Sequence, residues 1–116
     1  MGNRVVVIID DEIGILNLLA RFLKRKGFEV HTAMNLSEGD DHLRNVKPDY
    51  LFLDVNLPDG NGLDMLPKVK GDFPSLSIIM MSAFDHEDMR MQARSKGALA
   101  FLSKPFSLKE VDSIVH

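Results

Sequence analysis

The fold of this 116-residue chain is decided by the stretch Arg4-Val5-Val6-Val7-Ile8-Ile9-Asp10-Asp11-Glu12. Its five consecutive β-branched residues are the pattern of a strand that is buried on both faces of a sheet. Three acidic residues follow at once, so the strand ends in a cluster of carboxylates. The stretch therefore predicts a central strand of a parallel sheet with charged side chains at its carboxyl end.

Two further apolar runs end in a charged residue in the same way. Tyr50-Leu51-Phe52-Leu53 runs into Asp54, and Ala100-Phe101-Leu102-Ser103 runs into Lys104-Pro105. The carboxyl ends of parallel strands meet at one edge of a sheet, where open α/β sheets bind their ligands. We therefore expect the carboxylates and the lysine to emerge at this edge and to lie close together.

Strand patterns and helix patterns alternate along the chain. The segment from Ser37 to Arg44 predicts only a weak helix, because Gly39 and the pair Asp40-Asp41 lower the helix propensity. Short connections and right-handed crossovers then imply one parallel sheet with helices on both faces. The predicted strands, each followed by a helical pattern, are Val5–Ile9, Phe28–Thr32, Tyr50–Leu53, Ser77–Met81 and Leu99–Leu102.

The composition excludes several classes of function. The net charge is −3 with no basic block, which gives no support to direct nucleic-acid binding by this segment. No apolar stretch approaches the roughly 20 residues that span a bilayer, and the N-terminus lacks the layout of a signal peptide. The absence of cysteine excludes disulfides and thiolate metal sites. We expect a single cytoplasmic domain.

The acidic residues at the predicted sheet edge favour the binding of a cation. Asp10, Asp11 and Asp54 would repel one another, and one would take up a proton unless a cation neutralised them. Magnesium suits such a site because it prefers oxygen ligands and keeps several waters. Lys104 would add a positive charge, and Ser82, at the end of the run 78–81, would add a hydroxyl. The set predicts a carboxylate nucleophile for phosphoryl transfer.

Each of these residues alone has a simpler interpretation. Asp10 or Asp11 could cap the first helix, Asp54 could form a turn, and Lys104 could be solvated. Their coincidence at four strand ends favours a site over four independent accidents.

The motifs resemble those of response-regulator receiver domains of two-component signalling, and the resemblance covers essentially the whole chain. It rests on Ile9–Glu12, Leu53–Gly62, Met81-Ser82-Ala83 and Gly97-Ala98 with Phe101–Phe106, which stand in order at fitting intervals. The resemblance implies an α/β, flavodoxin-like (βα)5 three-layer sandwich whose five parallel strands have the order 2-1-3-4-5. Residues 1–116 would form the receiver domain, and any output domain would lie beyond residue 116.

The resemblance also implies the roles of the acidic residues. Asp54 would accept a phosphoryl group from a sensor histidine kinase or a phosphotransfer protein. Mg²⁺, with Mn²⁺ as a substitute, would be ligated by Asp11, Asp54 and the backbone oxygen of Asn56, and by Asp10 through water. The phosphoryl group would turn the domain into its active state.

The remaining implied roles concern the response to phosphorylation. Lys104, followed by a cis bond to Pro105, would pair with the phosphoryl group. Ser82 and Phe101 would move as switch residues and repack the fourth helix and the fifth strand. That face, with the fifth helix, would bind an output domain or partner protein, and it could support a phosphorylation-dependent dimer. The residues expected to tune the phosphoryl lifetime are Asn56 and Phe84.

Two other functions stay open. A phosphohydrolase of the haloacid dehalogenase type also uses an aspartate nucleophile with magnesium, but it needs a second aspartate where Asn56 stands. A pseudo-receiver would be an inert interaction module, against which the complete set Asp11, Asp54, Ser82 and Lys104 argues. The preferred prediction is a switch that phosphorylates and dephosphorylates itself without turning over an external substrate.

Overall fold

The structure, a computed structural model, describes residues 4–84 and 86–115. In this part of the chain a short antiparallel hairpin pairs Asn56–Leu57 with Gly60–Asn61. The other described strands are β1 (Val5–Ile9), β2 (Glu29–Ala33), β3 (Tyr50–Asp54), β4 (Ser77–Ser82) and β5 (Ala100–Ser103). The described helices are α1 (Ile13–Arg25), α2 (Leu36–Val46), α3 (Gly62–Asp72), α4 (Glu87–Ser95) and α5 (Leu108–Ile114).

The five long strands form one parallel sheet in the order β2-β1-β3-β4-β5. Helices α1 and α5 pack on one face, and helices α2, α3 and α4 pack on the other. This confirms the flavodoxin-like three-layer fold and the strand order 2-1-3-4-5.

The central strands are buried on both faces, as their continuous apolar runs predict. Val7 and Ile9 belong to the core beneath α2, α3 and α4, whereas Val6 and Ile8 belong to the core beneath α1 and α5. All four side chains are fully buried. A strand with helices on both sides has no solvent face, so its sequence shows no alternation with polar residues.

Helix α2 is longer than the weak pattern predicts. A Cβ atom on Gly39 would overlap Ile9 Cδ1, so the missing side chain lets the helix lie close to β1. The helix is also capped, because the side chain of Asn35 accepts a backbone hydrogen bond from the first turn at 2.8 Å. Tertiary packing and capping thus offset the low propensity of this segment.

Each of the other described helices comes after a strand, as the alternation of strand and helix patterns predicts. Helix α3 runs through Pro67, which has no backbone N–H to donate. Helix α4 ends two residues before Gly97, whose φ of +112° lies in the left-handed region that favours glycine. No helix in residues 4–84 and 86–115 is both long and apolar enough to cross a bilayer.

Candidate functional site

Four strand ends bring the predicted residues to one edge of the sheet. Asp10 follows β1, Asp54 ends β3, Ser82 ends β4 and Lys104 follows β5. The backbone N–H of Lys104 donates a hydrogen bond to the carbonyl oxygen of Ser82 at 2.8 Å, which continues the pairing of β4 with β5 past the end of the sheet. The Lys104–Pro105 peptide bond is cis, the form that the resemblance implies.

Lys104 lies at the centre of a cluster of carboxylates. Its Nζ atom is 2.8 Å from Asp10 Oδ2, 2.8 Å from Glu12 Oε1 and 3.3 Å from Asp54 Oδ2. The side chain is 7% exposed. Burial alone would lower the pKa of the ammonium, but the three carboxylates more than offset this effect and raise the pKa above its ordinary value. The Lys104 ammonium is therefore charged and fixed by ion pairs with carboxylates, and it does not extend into solvent.

Asp10 is fully buried and held from two sides. Its Oδ1 accepts the backbone N–H of Glu12 at 2.9 Å, and its Oδ2 lies beside the Lys104 ammonium without a hydrogen bond of good geometry in the described residues. It does not cap α1, which begins at Ile13 with Glu12 as the N-cap residue and no side-chain cap. Asp10 therefore pairs with Lys104 in the candidate site and does not cap α1.

Asp54 is 4% exposed, and its environment opposes ionisation. Burial and the neighbouring Asp10 raise its pKa to about 6, although Lys104 acts in the opposite direction. Its backbone is closely packed, since a Cβ atom on Gly62 would overlap the Asp54 carbonyl oxygen. The backbone N–H of Gly62 also donates to the carbonyl oxygen of Val55 at 2.7 Å. The start of α3 therefore holds the end of β3 in place.

A cleft of about 300 Å³ opens above Asp54. Asp11, Asn56 and Phe84 lie on its walls, and all three are exposed. Asp11 therefore lies at the mouth of the cleft. In the described residues, Lys104 forms its ion pairs with Asp10, Glu12 and Asp54, and not with Asp11. The full lining consists of Asp11, Glu12, Asp54, Asn56, Ala83, Phe84 and Lys104.

Glu12 is the acidic residue that sequence reasoning missed. One carboxylate oxygen from each of Asp10, Glu12 and Asp54 lies within 4.8 Å of the others. The only feature of the sequence that points to Glu12 is its place as the third residue in a run of acidic residues after β1. The direction of its side chain depends on where α1 begins, which the sequence alone does not settle.

The carboxylates leave negative charge for a further cation. Lys104 is the one cation in direct ionic contact with Asp10, Glu12 and Asp54 in the described residues, so it compensates only part of their charge. The buried Asp10 Oδ2 also lacks a well-formed hydrogen bond. Oxygen donors with uncompensated charge are what a hard divalent cation such as Mg²⁺ prefers, and the donor set fits such an ion.

Ser82 ends β4, and Phe101 lies in the neighbouring strand β5. Ser82 is fully buried, and its Oγ accepts the backbone N–H of Phe84 at 3.0 Å. The guanidinium carbon of Arg90 stands 5.0 Å from the centroid of the Phe101 ring, a cation–π contact. Arg90 also donates to Ser103 Oγ at 2.8 Å. This residue, which the sequence analysis did not single out, joins α4 to β5.

Another contact that the sequence did not predict joins the loop after β3 to α2. Asp59 accepts the backbone N–H groups of Leu36 at 2.8 Å and Ser37 at 3.0 Å. These hydrogen bonds hold the pKa of Asp59 below its usual range. Asp59 lies in the run Pro58-Asp59-Gly60-Asn61-Gly62, whose turn-forming residues predict a loop but do not predict which helix the aspartate contacts.

Comparisons with known proteins agree with this geometry. Residues 6–116 match the family described as response regulator receiver domain. The chain is 37% identical over 116 residues to the DNA-binding transcriptional regulator NtrC of Azospirillum brasilense, covering 100% of this chain and 24% of that protein. It is 30% identical over 115 residues to sporulation initiation phosphotransferase F of Bacillus subtilis (strain 168), covering 99% and 93%.

The fold also agrees with a solved structure, that of a response regulator receiver domain protein (CheY-like) from Methanospirillum hungatei JF-1. The two agree with a TM-score of 0.91 at 25% identity, over 97% of this chain and 90% of that chain. The chain spans about a quarter of the NtrC relative but nearly all of the sporulation relative. Receiver domains are phosphorylation switches that interact with histidine kinases or phosphotransfer proteins. This chain belongs to the response regulator receiver domain family.

Proposed function

We propose that Asp54 accepts a phosphoryl group from the phosphohistidine of a sensor kinase or a phosphotransfer protein. The observation that carries this proposal is the position of Lys104, whose ammonium lies 3.3 Å from Asp54 Oδ2 and 2.8 Å from the buried Asp10. A cation is thereby held beside Asp54, which among the described residues is the one buried carboxylate that also lines the cleft.

In the transfer, a carboxylate oxygen of Asp54 forms a bond to phosphorus while the bond from phosphorus to the imidazole nitrogen breaks. The imidazole leaves with the electron pair of that bond. The nucleophile must be ionised, and a pKa of about 6 leaves most Asp54 ionised at neutral pH. The Lys104 ammonium then pairs with the new phosphoryl oxygens and offsets their charge.

The residues that would hold Mg²⁺, or Mn²⁺ in its place, are Asp11, Asp54 and the backbone oxygen of Asn56, with Asp10 acting through water. When bound, the ion supplies positive charge to the carboxylates and to the phosphoryl oxygens. Asp11 is exposed at the mouth of the cleft, so it can meet a hydrated ion without a change in the fold. Asp10 is buried deeper, which suits a contact through water.

The readout would start at Ser82. Its hydroxyl would leave the backbone N–H of Phe84 and turn toward the phosphoryl group, and Phe101 would rotate inward. Because Arg90 contacts both Phe101 and Ser103, this movement would reach α4. The face formed by α4, β5 and α5 would then change its affinity for an output domain or a partner protein, including a second copy of the chain.

Asn56 and Phe84 would set how long the phosphoryl group lasts. Both lie on the walls of the cleft, and Phe84 is 58% exposed. Side chains at the mouth control how water approaches the phosphorus, so their size and polarity would govern hydrolysis. The domain would thus phosphorylate and dephosphorylate itself without turning over an external substrate.

Incubation with acetyl phosphate and Mg²⁺ tests the proposal. The wild-type domain should gain one acid-labile phosphoryl group, measured by intact mass, and Asp54→Asn should gain none. Asp64→Asn is the matched control, because Asp64 is an exposed acid in the first turn of α3 and should leave incorporation unchanged. Incorporation into Asp54→Asn at the wild-type level would place the acceptor elsewhere.

A further inference from the structure

We infer that Glu12 is a positioning residue that holds Lys104 in the unphosphorylated domain and competes with the phosphoryl group for its ammonium. The inference rests on the proposed phosphorylation of Asp54. It concerns a residue outside the expected set of phosphoacceptor, metal ligands and switch residues.

The first support is the distribution of contacts around Lys104. Its Nζ atom is 2.8 Å from both Asp10 and Glu12, but 3.3 Å from Asp54. The longest of the three contacts is therefore the one to the carboxylate that would carry the phosphoryl group. An ammonium has three N–H donors and Lys104 already has three carboxylate neighbours, so a shift of its Nζ atom toward the phosphoryl oxygens would lengthen one of the shorter contacts.

The second support is that only one of the two shorter contacts can be released at low cost. Asp10 is fully buried and its other oxygen is held by a backbone N–H, so an unpaired Asp10 carboxylate would be expensive. The Glu12 side chain is 57% exposed, and within the described residues Lys104 is the one partner with which its carboxylate forms an ion pair or a hydrogen bond. Water can solvate Glu12 as soon as Lys104 leaves it.

The third support is that Glu12 can release Lys104 without moving the fold. Its backbone is fixed as the N-cap residue of α1, and its carbonyl oxygen accepts the backbone N–H of Leu16 at 3.1 Å. Its side chain does not cap the helix. Rotation of the side chain toward solvent therefore breaks one ion pair and nothing else that the structure shows.

The experiment uses Glu12→Gln, which keeps the size and removes the charge. Titration with beryllofluoride, a phosphoryl mimic, at saturating Mg²⁺ should show binding about two- to fivefold tighter than wild type, the range expected for release of a partly exposed ion pair. Asp64→Asn, the exposed acid on α3, should bind the mimic like wild type. Titration with Mg²⁺ alone should show less than a threefold loss of affinity in Glu12→Gln.

Lys104→Met separates an effect through the lysine from an effect of charge in general. If Glu12 acts through Lys104, adding Glu12→Gln to Lys104→Met should change the affinity for beryllofluoride no further. A gain of the same size in both backgrounds would overturn the inference, because it would show a field effect of the removed charge.

The other outcomes also decide the matter. A tenfold or larger loss of Mg²⁺ affinity in Glu12→Gln would make Glu12 a metal ligand, as its place in the group of three close carboxylates allows, and would overturn the inference. Unchanged binding of beryllofluoride would do the same while leaving the proposed function intact. Failure of the wild-type domain to bind beryllofluoride would contradict the proposed function itself.

Discussion

The burial of Asp54 and the negative charge of its neighbour both oppose the ionisation of its carboxyl group. Its side chain is nearly inaccessible, the fully buried Asp10 stands nearby, and a single ammonium is shared among three carboxylates. Burial therefore raises the pKa of Asp54 to about 6 and makes its ionised form costly in the absence of a further cation. A metal ion or a protonated donor near the carboxylate relieves that cost.

Because ionised Asp54 is costly in the metal-free domain, we expect Asp54→Asn to raise the free energy of unfolding of that domain. Because folding raises the pKa of Asp54 from 3.8 to about 6, the folded protein binds this proton more tightly than the unfolded chain does. The cost of ionised Asp54 is absent below pH 3.8, grows as the pH rises and is complete above about pH 6. At pH 7.5 the variant should unfold with a free energy about 2–3 kcal/mol higher than wild type.

Urea unfolding in the presence of EDTA, from pH 4 to pH 7.5, measures this difference. The two proteins should converge at the acidic end of the range. A gap that stays constant with pH would mean that the variant acts through packing and not through ionisation. Asp64→Asn, an exposed acid, serves again as the control and should track wild type.

At the scale of single residues, the sequence predicts which strand ends carry the site but not where each side chain points. Asp54, Ser82 and Lys104 could be predicted because the carboxyl ends of parallel strands share one edge. The contact between Glu12 and Lys104 could not, since it spans 92 residues and depends on the first turn of α1. The exposed position of Asp11 depends on the same turn.

At the scale of elements, α2 shows how tertiary contacts override propensity. Gly39 weakens the helix in isolation, yet it is the residue that lets α2 approach Ile9 of β1. The first turn of α2 is also tied to the loop after β3 through Asp59. The sequence predicts the existence of this helix, but its length depends on contacts with β1 and with a loop more than twenty residues away.

Gly39→Ala should therefore destabilise the domain, although alanine is the better helix former. The new methyl group would overlap Ile9 Cδ1, and such overpacking costs about 1–3 kcal/mol. Gly14→Ala is the matched control, since nothing lies within 4 Å of a Cβ atom at that position in α1, and it should stabilise by at most about 1 kcal/mol. Equal changes in the urea midpoints of the two variants would contradict the packing argument.

At the scale of the whole molecule, the fold separates stability from chemistry. The two apolar cores lie between the sheet and its helices, whereas the charged residues of the site gather at one edge of the sheet. The same strands contribute to the core and place Asp10, Asp54, Ser82 and Lys104 at that edge. Arg90 bridges β5 and α4, and under the proposed function a charge change at that edge would reach α4 through this contact.

The most direct measurement is a crystal structure of the domain with Mn²⁺ and beryllofluoride, in which anomalous scattering locates the metal. We expect the beryllium bound to an oxygen of Asp54, the fluorides in contact with Lys104 and Ser82, and the manganese ligated by Asp11 and Asp54. Beryllofluoride bound at any other carboxylate, or a metal remote from these two acids, would contradict the account.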